Sequence, residues 1–268
     1  AAIRNLGRMT SIGISDATVR LLVDLIDNEE VLVKGRVHPL NILQALKTYQ
    51  SGRGVRGSLS WTPNRRLVDA LDSAFYKSFK AVEPTNKRTL LALDVSGSMG
   101  MGDIAGSPGI TPRIGSVAMS MVTAASEKDV EIVGFTAGNS KTKWGGYGTA
   151  ITPLDISPRR RLDDNIAAIS RLPFGGTDCA LPMLWAAENN KKFDAFVVYT
   201  DNETWAGNVK PDQALRDYRR KTGIDAKLIV VGMTATQFSI ADPNDPGMLD
   251  VVGFDSSAPA IMSGFIRG

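Results

Sequence analysis

Four short apolar runs decide what this chain can fold into. Residues 89–95, 130–135, 195–200 and 226–231 are each of strand length and almost continuously apolar. Stretches with a helical period lie between them, such as the face formed by Ala118, Met121, Val122 and Ala125. A strand buried on both sides shows no polar alternation, because both of its faces meet helices. The pattern therefore predicts an α/β architecture with a doubly wound, mostly parallel sheet. In such sheets ligands bind beyond the carboxyl ends of the strands, where the strand order reverses. The residues that follow each run are the first place to look for function.

The first 80 residues carry a different period. Ser15-Asp16 reads as the cap of a helix whose apolar set is Val19, Leu22, Val23 and Ile26. A second helix is predicted to start at Pro39 and to bury Ile42, Ala45, Leu46 and Tyr49. A third is predicted to start at Thr62-Pro63, with Leu67, Ala70, Leu71 and Ala74 inward and Phe75 and Phe79 one turn apart. Three amphipathic helices in a row read as the end of a helical-repeat array. Val82-Glu83-Pro84-Thr85-Asn86 reads as a linker, which divides the chain into residues 1–82 and 85–268.

Three polar clusters fall where a strand ends or a helix begins. They are Asp94-Val95-Ser96-Gly97-Ser98, Gly175-Gly176-Thr177-Asp178 and Thr200-Asp201-Asn202-Glu203-Thr204. From them Asp94, Ser96, Ser98, Thr177 and Asp201 offer two carboxylates and three hydroxyls to one rim of the sheet. Hard oxygen donors without sulfur or imidazole select Mg²⁺, Mn²⁺ or Ca²⁺ over zinc or copper. With so few formal charges on the donors, a bound cation stays electron-poor and can take an anion at an open position.

The set Asp-x-Ser-x-Ser, then Thr, then Asp resembles the metal-ion-dependent adhesion site of von Willebrand factor type A (vWA) domains. That resemblance implies that Asp94, Ser96 and Ser98 are ligands from the first loop, Thr177 from the second and Asp201 from the third. Other segments run the length of the chain: Arg4-Asn5-Leu6-Gly7, Arg36-Val37-His38-Pro39, Ala74-Phe75-Tyr76-Lys77, Gly175-Gly176-Thr177-Asp178-Cys179, Thr200-Asp201-Asn202-Glu203-Thr204 and Ile240-Ala241-Asp242-Pro243. They are similar to the C-terminal part of the Ro autoantigen (TROVE) family. The resemblance implies the last helices of a HEAT-like ring closed by a vWA domain. It also implies RNA partners, with misfolded small RNAs held by the ring and Y RNAs on its outer surface. Three helices are far fewer than that ring needs, so the family's RNA binding does not pass to this chain automatically.

Charge adds a weaker pointer. Residues 1–80 hold 12 Lys/Arg against 7 Asp/Glu, whereas residues 81–268 hold 19 against 21. A basic excess in the first third favours a polyanion such as RNA, although a basic solvated helical surface gives the same count. Within it, Gly52-Arg53-Gly54-Val55-Arg56-Gly57 fits Gly-x-Gly-x-x-Gly but follows a helix, not a strand, so it is not a dinucleotide fingerprint. Arg53 and Arg56 remain candidate phosphate contacts in that loop. Segment 137–158 reads as a loop excursion, in which Trp144 and Tyr147 are candidates to stack on bases.

Catalysis is not expected. The single His38 leaves no Ser-His-Asp triad, and no nucleophile or second metal cluster accompanies the rim donors. Cys179 reads as a buried small residue and Asp178 as a helix cap. One cysteine, no signal peptide and no apolar run of the ~18–20 residues of a membrane span point to a cytoplasmic protein with no membrane partner. Two functions compete: an RNA-binding Ro-type module, and a cation-dependent adhesion module that takes an acidic side chain of a protein partner and no RNA.

Overall fold

A computed structural model describes residues 2–136, 150–172, 176–201, 207–234, 239–254 and 257–268. The chain forms two compact units, one of residues 1–83 with 103–110 and the other of residues 84–102 with 111–268.

The first unit is all helical: α1 (Ala2–Ser11), α2 (Asp16–Ile26), α3 (Glu29–Lys34), α4 (Pro39–Gln50) and α5 (Arg65–Lys77), followed by a 3-10 turn at Ser78–Ala81. Capping chemistry explains the starts. Ser15 and Asn28 accept backbone N–H groups at the entries of α2 and α3. The third predicted helix begins later than its sequence suggests, because Asn64 rather than Thr62 provides the cap and accepts from Arg66 N at 3.0 Å. Two further helices, α1 and α3, escape the periodicity reading. Gly7 sits in the middle of the continuous α1, and the Trp61 ring lies directly over it, where any Cβ would collide. Trp61 also donates to the Tyr49 carbonyl at 2.9 Å, and the Tyr49 hydroxyl accepts from Asn64 N at 3.0 Å. This aromatic pair ties α1, α4 and the start of α5 together. Residues 103–110 group with these helices: Gln44 Nε2 donates to Ser107 Oγ at 3.0 Å, and Ile104 and Ile110 are buried.

His38 caps α4, its Nδ1 accepting from Leu40 N at 3.2 Å. An imidazole that accepts is neutral, and burial pushes its pKa down to about 4. Because the folded value lies below the unfolded one, stability is full above about pH 6.5 and is lost as pH falls toward 4. The loss between pH 7 and pH 4.5 is expected to be about 2 kcal/mol. His38→Asn keeps a cap acceptor without the titration. Urea midpoints at the two pH values should therefore fall further for the wild type than for the variant. Equal falls would show that His38 is not the acid-sensitive group.

The second unit is a six-stranded sheet, counted among the described residues. Its strands are β1 (Thr89–Asp94), β2 (Val130–Phe135), β3 (Ile151–Pro153), β4 (Ala195–Thr200), β5 (Lys227–Gly232) and β6 (Met248–Val252), in the order β3-β2-β1-β4-β5-β6. Only the β2–β3 pair is antiparallel. The helices are α6 (Pro112–Ser126), α7 (Leu162–Ile169), α8 (Leu181–Glu188), α9 (Pro211–Thr222) and α10 (Ala258–Arg267). On one face Leu90, Ala92, Phe196, Val198, Leu228 and Val230 pack with Leu181 and Met183 of α8 and Leu215 and Tyr218 of α9. On the sheet α6 packs against β1 and β2. The mostly parallel, doubly wound sheet agrees with the sequence pattern. The excursion predicted at 137–158 includes the edge strand β3, while Trp144 and Tyr147 lie outside the described residues.

Strand order fixes where a ligand goes. From β1 the chain turns first to β2 on one side and later to β4 on the other, so the order reverses at β1. The loop after Asp94 leaves the sheet at that switch point.

Candidate metal centre

Asp94 is the last residue of β1 and is 2% exposed. Three donors converge on its carboxylate. Ser96 N donates to Oδ1 at 2.8 Å, while Thr177 Oγ1 and Thr200 Oγ1 donate to Oδ2 at 3.1 and 3.0 Å. Parallel register explains Thr200: Leu93 pairs with Tyr199, so the next residues, Asp94 and Thr200, end their strands side by side. Period-two alternation also puts both on one face of the sheet.

After Asp94 the chain makes a short 3-10 turn at Gly97–Gly100 that carries Ser98. Ser96 Oγ and Ser98 Oγ stand 3.1 Å apart, with Ser96 buried and Ser98 exposed. Thr177 is 2% exposed and precedes α8. Asp201 follows β4, is half-buried, and its carbonyl accepts from Thr234 Oγ1. Burial pushes the Asp94 carboxyl above the usual carboxylate range, and the Asp201 charge pushes in the same direction. A buried carboxylate with a second negative charge nearby is a place where added positive charge is favourable.

Asp94, Ser96, Ser98 and Thr177 thus form one hydrogen-bonded cluster, with Asp201 within electrostatic reach. Among the described residues no group of three or more His, Cys, Asp or Glu could hold a metal ion. The donors here are of another kind: hydroxyls around a carboxylate hub, with one exposed corner at Ser98. That set fits a hard divalent cation that keeps an outward position for one more oxygen ligand.

Three neighbours complete the centre. Thr200 lies in one of the polar clusters, yet its bond to Asp94 follows only from the register. Arg113, the second residue of α6, is 9% exposed and donates from Nη2 to the Ser96 carbonyl at 2.8 Å. Asp178 does not cap α8, whose N-cap residue is Ala180 with no side-chain cap bond; its carboxylate accepts from Ala180 N at 3.0 Å in the turn before the helix, and burial pushes its pKa up to about 6. Gly207 (φ +90°) faces that carboxylate so closely that any Cβ would collide with it. Cys179 is fully buried.

Arg53 and Arg56 are not part of this cluster. Both are exposed in the α4–α5 connection of the helical unit. That connection is a tight turn, with Trp61 N donating to the Gly52 carbonyl and Gly54 N to the Leu59 carbonyl, each at 2.8 Å. Gly52 has φ +69° and packs against the Trp61 carbonyl, so glycine is needed there.

Comparison with known proteins identifies the family and agrees with the fold. Residues 88–266 match the family model described as the Ro60 vWA domain, and residues 1–48 match the TROVE domain. A Deinococcus radiodurans protein named RNA-binding protein RO60 is 47% identical over 99% of this chain, which spans 49% of that relative. A Caenorhabditis elegans protein of the same name is 43% identical over 100% of this chain and 40% of its own length. The chain therefore spans about half the length of the curated relatives it matches. The crystal structure of the Deinococcus radiodurans RO (RSR) protein superposes with a TM-score of 0.90 at 47% identity, covering 99% of this chain and 52% of that one.

Proposed function

Since this chain belongs to the Ro60 family, with a vWA domain that spans residues 88–266, we propose that it serves in an RNA-binding ribonucleoprotein whose vWA rim holds a divalent cation. The observation that carries the cation is the convergence of Ser96, Thr177 and Thr200 on the buried Asp94. The RNA reading rests on relatives named RNA-binding proteins and on the basic excess of residues 1–80. Small noncoding RNAs, both misfolded species and Y RNAs, are the partners proposed. Mg²⁺ is the cation proposed first, with Mn²⁺ and Ca²⁺ as other hard ions of the same class. A cytoplasmic location belongs to the same proposal. Among the described residues no helix is long and apolar enough to cross a membrane.

The chain's residues divide the work. Asp94, Ser96, Ser98, Thr177 and Asp201 would hold the ion. Thr200 fixes the Asp94 carboxylate, and the exposure of Ser98 leaves one side accessible. When bound, the cation supplies a point of positive charge for a carboxylate or phosphate oxygen. Arg53 and Arg56 present guanidinium groups to solvent for phosphate contact. The role proposed is binding, not catalysis, in line with relatives named RNA-binding proteins.

A second reading keeps the cation and drops the RNA. The net charge of residues 81–268 is −2, which does not by itself draw a polyanion to the vWA unit. In that reading the open position takes an aspartate or glutamate of a protein partner.

Titration of a fluorescent single-stranded RNA at two salt concentrations, with Mg²⁺ and with EDTA, separates the two. The RNA reading expects binding that weakens with salt as counterions return to the phosphates. Replacing both Arg53 and Arg56 by Ala should flatten the log–log salt slope by about 1.4, at ~0.7 per phosphate on single strands. No binding at low salt would leave the adhesion reading, for which capture of an acidic peptide should be lost in EDTA.

A further inference from the structure

Arg113 occupies a costly position. A guanidinium held 9% exposed gives up most of its hydration, and the first turn of a helix presents the positive end of the helix dipole. Something specific must offset both. Nη2 donates to the Ser96 carbonyl at 2.8 Å, at the start of the ligand segment, and Nη1 lies 3.5 Å from Ser170 Oγ at the end of α7. At the other end of the segment, Gly100 faces the guanidinium, where a Cβ would stand 3.2 Å from Nη1. The residues between these points include Ser96 and Ser98. The Asp94 charge acts on Arg113 as well.

We propose that Arg113 is a positioning residue of the cation site: from the rigid start of α6 it holds the Ser96 end of residues 96–100 by a hydrogen bond and backs the Gly100 end, presetting Ser96 and Ser98 for a small cation. This rests on the cation reading above and extends it to ion selectivity. Mg²⁺ demands near-ideal octahedral geometry at short distances, whereas Ca²⁺ accepts six to eight ligands in flexible arrangements. A clamped loop therefore favours Mg²⁺, and a loosened one loses Mg²⁺ more than Ca²⁺. The fixed positive charge also balances Asp94 while no cation is bound.

The test is calorimetric titration of Mg²⁺ and of Ca²⁺ into the wild type, Arg113→Gln, Arg113→Lys, Gly100→Ala and Asp94→Ala. Removing a residue that orients metal ligands typically costs 10–100-fold in affinity. Arg113→Gln should weaken Mg²⁺ by about tenfold and Ca²⁺ by less, with Arg113→Lys between it and the wild type. In EDTA the amides of residues 97–100 should exchange faster in Arg113→Gln. Gly100→Ala, which presses on the same guanidinium from the loop side, should shift the Mg²⁺/Ca²⁺ ratio in the same direction. It decides the matter if Arg113→Gln does not fold. Mg²⁺ affinity within twofold of wild type in both variants overturns the inference, and so does an equal loss for both ions. If Asp94→Ala abolishes Mg²⁺ binding in that case, the cation reading survives the failure. A wild type that binds no Mg²⁺ overturns both.

Discussion

Replacing Asp94 by alanine is expected to abolish Mg²⁺ binding while the second unit stays folded. Every other member of the centre is a hydroxyl or lies nearer the surface, so Asp94 is the only deeply buried charge among the five donors. Its removal takes away the negative hub and the acceptor shared by Thr177 and Thr200. The cost in the metal-free protein should stay within about 2 kcal/mol. Three donors lose a partner, but a carboxylate that burial penalises is removed as well. The sign of that penalty matters. The folded pKa of Asp94 is raised, so its contribution to stability is full at low pH and is lost as pH rises through the folded value. At neutral pH the metal-free protein carries that strain, and a bound cation relieves it. Mg²⁺ at 100 times its dissociation constant should add about 2.7 kcal/mol to the wild type, or roughly 5–10 °C in melting temperature. The same addition should leave Asp94→Ala unmoved. The wild-type shift should shrink as pH falls, beginning above the usual carboxylate range, because protonation competes with the ion. An Asp94→Ala protein that gains as much from Mg²⁺ as the wild type would remove the assignment.

The sequence states some of this structure directly and is silent on the rest, for physical reasons. The four central strands β1, β2, β4 and β5 are legible because burial on two faces leaves an unbroken apolar run. The edge strands are not. β3 is three residues long with Thr152 and Pro153 exposed, and β6 carries Asp250, whose carboxylate accepts from Ala241 N. Neither shows a run or a clear alternation. Helix α1 hides behind Gly7, whose helical cost is met by the Trp61 ring some fifty residues later in the chain. The polar cluster after β1 is legible, since Asp94, Ser96 and Ser98 lie within one turn of chain and their spacing is local. Thr200 becomes legible only with the register of β1 against β4. Arg113 shows no signal at all, because its bond to the Ser96 carbonyl depends on how the intervening segment folds. Local chemistry is written in spacing, and support from a distance is written in packing.

Support of the second kind has its largest expected effect at Phe196. Its ring is fully buried on β4, edge-on to Phe193 at 5.7 Å and to Tyr218 at 4.8 Å between centroids. Tyr218 in turn accepts from Phe193 N at 2.7 Å and donates to the Lys191 carbonyl at 3.0 Å, so α9 is fixed to the start of β4 through this cluster. Phe196→Ala removes a large side chain from a site whose neighbours are held by hydrogen bonds and cannot collapse into the space. The expected loss is about 3–5 kcal/mol, roughly 10 °C or more in melting temperature. Yet Phe196 lies at the far end of β4 from Thr200 and Asp201, and strand register carries the site. Under conditions where the variant is still folded, its Mg²⁺ affinity should stay within about twofold of wild type, since distant sites add independently. The pair of outcomes is what separates a scaffold from a site: Asp94→Ala loses the ion and keeps the fold, and Phe196→Ala weakens the fold and keeps the ion. A Phe196→Ala protein that loses Mg²⁺ tenfold while remaining folded would mean that the core under β4, and not the rim alone, sets the ligand geometry.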